Sequence, residues 1–96
     1  MTKSDHGPVA GLTLFGADWC PDCRRSKRLL DRVGVAYTWR DTEHDEDALA
    51  ELLGLNGGRQ SIPVLVFPDG HHVTEPSDPY LRAELVRAGL LPDGTA

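Results

Sequence analysis

Cysteine is scarce in this chain, with two residues in 96, and so are methionine, at one, and aromatic side chains, at two each of Trp, Tyr and Phe. There is no apolar run of the roughly 20 residues that a membrane-spanning helix needs. Met1 to Gly11 carries Lys3, Asp5, His6 and Pro8, so the apolar stretch of a secretory leader is missing there too. The expected compartment is therefore cytoplasmic, with no membrane partner. Positive charge is also in short supply: 10 Lys plus Arg stand against 15 Asp plus Glu, a formal charge of -5. That is the wrong sign for a nucleic-acid binder unless its basic residues are segregated onto one face. No repeat, low-complexity tract or internal linker is visible. A chain this short buries only about 60 to 65% of its unfolded surface, so it forms one domain with a thin core and no room for a tightly held prosthetic group. The domain is expected over 12–91, with a loosely attached or disordered arm over 1–11 and a tail over 92–96.

What is present reads as alternating strands and helices. Leu12-Thr13-Leu14-Phe15, closed by Gly16, is a short buried strand. Ser26, Leu29, Leu30 and Val33 recur at helical spacing, with Arg24, Arg28 and Arg32 on the opposite face and Gly34 as the stop. Pro21 suits the first helical position, where a missing N–H is harmless. Val35 to Trp39 alternates as a second strand, and strand, helix, strand at this distance implies a right-handed parallel unit. The five acids between Asp41 and Asp47 precede Ala48, Leu49, Leu52 and Leu53, which is a dipole-matched helix start ending at a Gly54 cap. Asn56-Gly57-Gly58 is a loop. Val64 to Phe67 is an apolar strand that Pro68-Asp69-Gly70 turns into a hairpin with His72-Val73-Thr74. Asp78, with Pro79 behind it, starts a last helix whose Leu81, Leu85 and Ala88 face inward and which Gly89 ends. The order is β, α, β, α, β, β, α.

Cys20 and Cys23 lie at the junction of the first strand and the first helix. Positions three apart on a helical turn are about 5 to 6 Å apart, so a disulfide can close and open there without moving the fold. Near the helix N-cap, a Cys20 thiolate meets free backbone N–H groups and the positive end of the helix dipole, which makes it the candidate nucleophile. Cys23, one turn inside, lacks those donors and suits a resolving role. Three other uses of the pair stay open: a structural disulfide, a zinc half-site, and an iron–sulfur cluster bridged between chains. The first closes almost no loop. The second needs two further ligands, and His6, His44, His71 and His72 show no ligand spacing relative to the cysteines.

The strand, the Trp19-Cys20-Pro21-Asp22-Cys23 turn, the step Gln60-Ser61-Ile62-Pro63-Val64 and the element order together resemble a glutaredoxin over nearly the whole chain. Asp41-Thr42-Glu43-His44, Asn56-Gly57-Gly58, Ser61-Ile62-Pro63, Phe67-Pro68-Asp69-Gly70 and Pro76-Ser77 are similar, more narrowly, to the mycoredoxins within that family. The resemblance implies a thioredoxin-like fold: three α/β/α layers with a four-stranded mixed sheet. It implies a cis Pro63 facing the cysteines, an Ile62 backbone open to strand-like pairing with substrate, and Trp19 shielding the disulfide edge. It also implies a substrate-binding set of Trp19, Asp22, Gln60, Ser61, Ile62, Pro63, Glu75 and Ser77 around the catalytic Cys20 and Cys23, with no metal. Two positions depart from the family pattern. Asp22 stands where a tyrosine that covers the bound thiol is usual, and Gln60 stands where an arginine is usual, with Arg59 one place earlier. Asp18 and Asp22 put negative charge near Cys20, which opposes the dipole unless Arg24 or Arg25 compensates.

The co-substrate implied is a small thiol. Glutathione-using relatives follow the hairpin with a Gly-Gly-x-Asp clamp, and here the segment reads Thr74-Glu75-Pro76-Ser77-Asp78. Its carboxylates repel anionic glutathione, whereas uncharged mycothiol offers sugar hydroxyls that carboxylates accept. The leading expectation is a monomeric mycoredoxin-like oxidoreductase acting on oxidised or mycothiolated proteins. The alternative is a thioredoxin-like electron carrier reduced directly by a flavoprotein disulfide reductase, for which the Pro21-Asp22 turn is the sequence argument. A metal or iron–sulfur carrier is the minor alternative.

Overall fold

The computed structural model describes residues 11–92. Gly11 and Pro92 apart, the expected arm and tail lie outside the described residues. Seven elements follow in the expected order: β1 (Leu12–Gly16), α1 (Pro21–Val33), β2 (Tyr37–Asp41), α2 (Glu46–Leu55), β3 (Val64–Val66), β4 (His72–Thr74) and α3 (Asp78–Arg87). The sheet runs β2-β1-β3-β4, with β1 and β2 parallel and the other two pairings antiparallel.

Alternation along β1 divides the core between the two faces of the sheet. Leu12 and Leu14 join Leu65, Phe67 and Val73 against Leu29 and Leu30 of α1 and Leu81 and Leu85 of α3. Phe15 points the other way and joins Val64 against Ala48 and Leu52 of α2. Two helices on one face and one on the other make the three layers of a thioredoxin-like, glutaredoxin-type fold. Truncating Leu30, which is fully buried, to Ala should cost about 2 to 5 kcal/mol through lost burial and a residual cavity.

Two boundaries differ from the reading of the sequence. β2 begins at Tyr37 rather than Val35, because Gly34 caps α1 in a left-handed conformation (φ 77°) and the Val35 N–H folds back to the Leu30 carbonyl at 3.0 Å. The displacement is two residues, so Tyr37 and Trp39 still share one face. α2 runs past Gly54 to Leu55, whose side chain packs with the Phe15 cluster, and Asn56 becomes the C-cap. α3 begins at Asp78, as read from the sequence, with Ser77 as its N-cap: the Ser77 side chain accepts from the Tyr80 N–H, and Pro79 falls in the first turn.

Candidate active site

Sheet register places the candidate residues at one end of the fold. Gly16, last in β1, is level with Asp41, last in β2. On the other side Phe15 pairs with Val64, so Pro63 stands one step further along, level with Gly16. Val64 in turn pairs with Thr74, and the Glu75 N–H donates to the Pro63 carbonyl at 2.7 Å. Gly16, Asp41, Pro63 and Glu75 therefore form a row across the sheet end, and the chain leaves β1 there to make the cysteine turn. The Ile62–Pro63 peptide is cis.

Cys20 is the N-cap of α1, in extended conformation, with Pro21 at the first helical position. The Cys20 N–H donates to the Ala17 carbonyl at 3.2 Å, closing the turn, and the Cys23 N–H donates to the Cys20 sulfur at 3.1 Å. The sulfur thus takes the place of the oxygen that Ser or Asp supplies at other N-caps. Both cysteines are free. Cys20 keeps 5% of its surface exposed and Cys23 none. Burial, and after it the hydrogen bond with Cys20, push the Cys23 thiol from its ordinary 9.0 up to about 12. The nearby Asp22 carboxylate adds to that rise. At neutral pH one sulfur is held by a helical N–H donor and the other is kept protonated.

Gly16 was legible only as the close of a strand, yet it makes room for Cys23. A Cβ there would meet the Cys23 sulfur at 2.6 Å and Cη2 of Trp39 at 3.0 Å. Asn56, read from sequence as loop, ties the Pro63 segment to the hairpin: its Nδ2 donates to the Ser61 carbonyl at 3.0 Å, and its Oδ1 accepts from the Thr74 hydroxyl at 3.3 Å. The signal for neither residue is in its neighbours along the chain, since both roles join elements far apart in sequence.

Around the cysteines, Trp19 is 62% exposed, which excludes a core-packing role, and its indole N–H donates to Glu43 at 2.7 Å. Glu43 follows Asp41, whose carboxylate accepts from the Glu43 and His44 N–H groups and lies 2.8 Å from His44 Nδ1. That contact holds the Asp41 carboxyl below, and the His44 imidazole above, their ordinary values. Asp22 is engaged by Arg25 at 2.8 Å. Among the described residues Arg24 reaches the Asp18 carbonyl alone, at 3.4 Å, so of the two arginines it is Arg25 that pairs with a carboxylate of the turn. Arg25 also lies 3.4 Å from both the Pro76 carbonyl and the Asp78 carboxylate. Asp78 Oδ1 is buried and, although at ion-pair distance, accepts no hydrogen bond. Asp78 thus links α3 to α1 through Arg25, while more than a third of its side chain stays exposed. Glu75 is exposed and holds a left-handed φ of 51°, a conformation that favours glycine. The Ser77 side chain is occupied in capping α3. Ser61 and Ile62 lead into Pro63 half-buried, Gln60 is exposed one step further out, and among the described residues the Ile62 backbone takes no hydrogen bond. Also among the described residues, no three or more His, Cys, Asp or Glu side chains converge as metal ligands, and no helix is long and apolar enough to cross a membrane.

A thioredoxin-like sheet with a Cys-x-x-Cys pair at the first strand–helix junction defines a thiol–disulfide oxidoreductase class, and comparison with known proteins agrees. The glutaredoxin family model matches residues 12–73. A Mycobacterium tuberculosis protein assigned as a glutaredoxin is 39% identical over 80 residues, which cover 82% of this chain and 94% of that protein. Mycoredoxin 1 of Corynebacterium glutamicum is 33% identical over 78 residues, covering 81% and 91%. Among solved structures, a glutaredoxin from Archaeoglobus fulgidus superposes with a TM-score of 0.66 at 28% identity over 82% of this chain and 88% of that one. A buckwheat glutaredoxin in complex with glutathione superposes with a TM-score of 0.60 at 26% identity, over 83% and 80%. The chain belongs to the glutaredoxin family of thiol–disulfide oxidoreductases, which use a small thiol as co-substrate and act with protein disulfides.

Proposed function

We propose that the protein is a cytoplasmic, monomeric mycoredoxin-like reductase of mixed disulfides between protein cysteines and mycothiol. The Cys20 thiolate attacks the mycothiol sulfur of the mixed disulfide. The S–S bond breaks, the protein substrate leaves as a thiolate and takes up a proton, and mycothiol remains joined to Cys20. A second mycothiol thiolate then attacks the adduct, releasing oxidised mycothiol and restoring the Cys20 thiolate. Alternatively Cys23 gives up its proton and attacks Cys20, expelling mycothiol as thiolate and closing a Cys20–Cys23 disulfide; two electrons from a dithiol or a flavoprotein reductase reopen it. Trp19, the Ile62 backbone and Pro63 form the docking edge, with Asp22, Gln60, Ser61, Glu75 and Ser77 bordering the thiol.

The observation that carries this reading is the asymmetry of the pair: the Cys20 sulfur accepts the Cys23 N–H, while the Cys23 thiol is buried and stays protonated. Mycothiol is favoured over glutathione by the kinship with mycoredoxin 1 and by the exposed Glu75 carboxylate, which opposes an anion. The Pro21-Asp22 turn favours a second reading, in which a flavoprotein reductase reduces the disulfide directly.

Initial rates with a mycothiol mixed disulfide, supported by mycothiol, by glutathione, or by a thioredoxin reductase with NADPH, separate the two. Efficient reduction by the flavoprotein with negligible use of mycothiol would replace the first reading with the second. Cys20→Ser should abolish exchange, and Cys23→Ser should accumulate a Cys20 adduct on intact mass while keeping some turnover. Equal losses with no adduct would refute the assigned roles.

A further inference from the structure

Five of the ten basic residues of this acidic chain, Arg24, Arg25, Lys27, Arg28 and Arg32, lie on α1. Of the four basic side chains elsewhere among the described residues, Arg40 and Arg87 are engaged, while Arg59 and Arg82 stand singly with no ion pair or side-chain hydrogen bond. Arg40 meets Glu51 at 3.0 Å and Phe15, and Arg87 meets Glu84 at 2.9 Å and Phe67. On α1 itself Arg25 holds Asp22, and Lys27 sits 4.0 Å over the ring of Trp39. Arg24, Arg28 and Arg32 differ from the isolated Arg59 and Arg82 in forming a row on one helix. All three are exposed, they follow one another at i, i+4 and i+8, and neither Arg28 nor Arg32 takes an ion pair or hydrogen bond among the described residues. Asp31, the acid beside them, is turned toward the Tyr37 hydroxyl, whose pKa it helps to raise after burial.

Like charges four apart on a helix repel. A chain with fifteen acids has the means to neutralise such a row, and this one leaves it open. The row also begins at the cysteines: Arg24 touches the Asp18 carbonyl of the turn, and at 1.5 Å per residue Arg28 and Arg32 lie about 12 and 18 Å along the axis from Cys20. On the other side of the turn the charge is reversed, since Trp19 is bonded to Glu43 in the acidic stretch 41–47. A protein approaching Cys20 therefore meets positive potential along α1 and negative potential beyond Trp19.

We infer that the exposed arginine ridge Arg24–Arg28–Arg32 is a docking surface for protein substrates whose reactive cysteine is flanked by acidic residues. The inference rests on the oxidoreductase reading and deepens it by naming a substrate class. The ridge attracts the acidic flank and the acidic stretch beyond Trp19 repels it, so the substrate disulfide is delivered to Cys20 in one orientation.

The test uses two short peptides with glutamate or lysine on both sides of one cysteine, each in mixed disulfide with 2-mercaptoethanol, and reduced full-length protein in single-turnover exchange. The glutamate peptide should react faster than the lysine peptide at low salt, with the advantage fading as salt screens it. In Arg28→Glu/Arg32→Glu the rate constant for the glutamate peptide should fall about tenfold, and that for 2-hydroxyethyl disulfide should not change. The neutral pair Arg28→Gln/Arg32→Gln should fall between. Equal rates for the two peptides in the wild type, or an equal loss toward all disulfides in the variants, would overturn the inference. So would wild-type self-association that the variants abolish while peptide preference is absent, because the ridge would then serve a second copy of this chain. Calorimetry of Cys20→Ser with the S-methylated peptides reads docking without turnover. Tighter binding of the glutamate peptide by a protein whose wild type exchanges no disulfide would uphold the docking surface and refute the oxidoreductase reading.

Discussion

Arg25 holds Asp22: guanidinium and carboxylate meet at 2.8 Å, one helical turn apart on α1, and the same guanidinium reaches across to the Pro76 carbonyl and Asp78 at 3.4 Å. The charge that Asp22 brings to the cysteine turn is thereby balanced within the fold. Both side chains are more than a third exposed, so the pair itself contributes at most about 0.5 kcal/mol to stability. Its consequence is electrostatic and local.

Removing Arg25 leaves the Asp22 carboxylate unbalanced two residues from Cys20. Arg25→Ala should therefore slow alkylation of the protein by iodoacetamide at mildly acidic pH, and Asp22→Asn should quicken it, each by several-fold. Reaction rate against pH is the measurement. Identical profiles in both variants would show that the carboxylate does not act on the nucleophile.

Cys23 should be inert while the fold is intact. In Cys20→Ser, burial still opposes the Cys23 thiolate, so modification by iodoacetamide near pH 8 should be at least about tenfold slower in native protein than in guanidinium, where the thiol returns to its ordinary value near 9.0. In the wild type the folded state keeps the Cys23 proton between pH 9.0 and about 12 while the unfolded chain loses it. The folded state then binds more protons, so this group's contribution is fully present below pH 9 and stability declines as pH rises through that window. Rapid labelling of native Cys20→Ser at pH 8 would contradict the buried thiol.

Gly16→Ala tests the space under Cys23. The added methyl would stand 2.6 Å from the Cys23 sulfur and 3.0 Å from Trp39, and neither neighbour lies on a flexible chain end. Overpacking of this kind costs about 1 to 3 kcal/mol. Denaturant unfolding should show the loss, and a wild-type midpoint would mean that β1 gives way more easily than its central place in the sheet suggests.

Glu75 offers two separable outcomes. Its left-handed φ of 51° costs a non-glycine residue about 1 to 2 kcal/mol, while glycine costs about 0.5 to 1 kcal/mol through the unfolded chain. The first effect wins, so Glu75→Gly should raise the melting temperature by a few degrees. Glu75→Lys should improve use of anionic glutathione several-fold without improving use of mycothiol, because one exposed charge contact is worth up to about 1 kcal/mol. Asp78 is left untouched in this test, since a lysine there would face Arg25. Unchanged selectivity between the two thiols would remove Glu75 from the thiol site.

His44 and Asp41 should titrate as a pair. The His44 midpoint, followed by the ring proton resonances, should lie above the ordinary imidazole value of 6.5 and fall toward it in Asp41→Asn, which keeps an acceptor for the Glu43 and His44 N–H groups but loses the charge. The folded state binds the proton more tightly, so the contact helps stability below pH 6.5 and is lost as pH rises through the raised value. An unchanged midpoint would show that Asp41 does not set the imidazole.

By itself, the amino-acid sequence determined what depends on near neighbours. Cys20 and Cys23 are three apart with Pro21 between them, and that spacing on a helical start is enough to pair two sulfurs with different surroundings. The apolar periods, Gly34 and the hairpin turn likewise name their elements, because helix and turn geometry is set over a few residues. Tertiary structure alone decided what joins distant parts. Register across four strands brought Gly16, Asp41, Pro63 and Glu75 to one end of the sheet, and packing of α1 against α3 brought Asp78 to Arg25, whose pairing with Asp22 is already set by the i, i+3 spacing on one helix. The start of β2 at Tyr37 is local in origin, since the Val35 N–H turns back to the Leu30 carbonyl five residues earlier around the left-handed Gly34. Local geometry is fixed by bonds and short contacts that any reader of the chain can count, whereas a charge pair or a sulfur beneath a strand exists only once the layers have closed on one another.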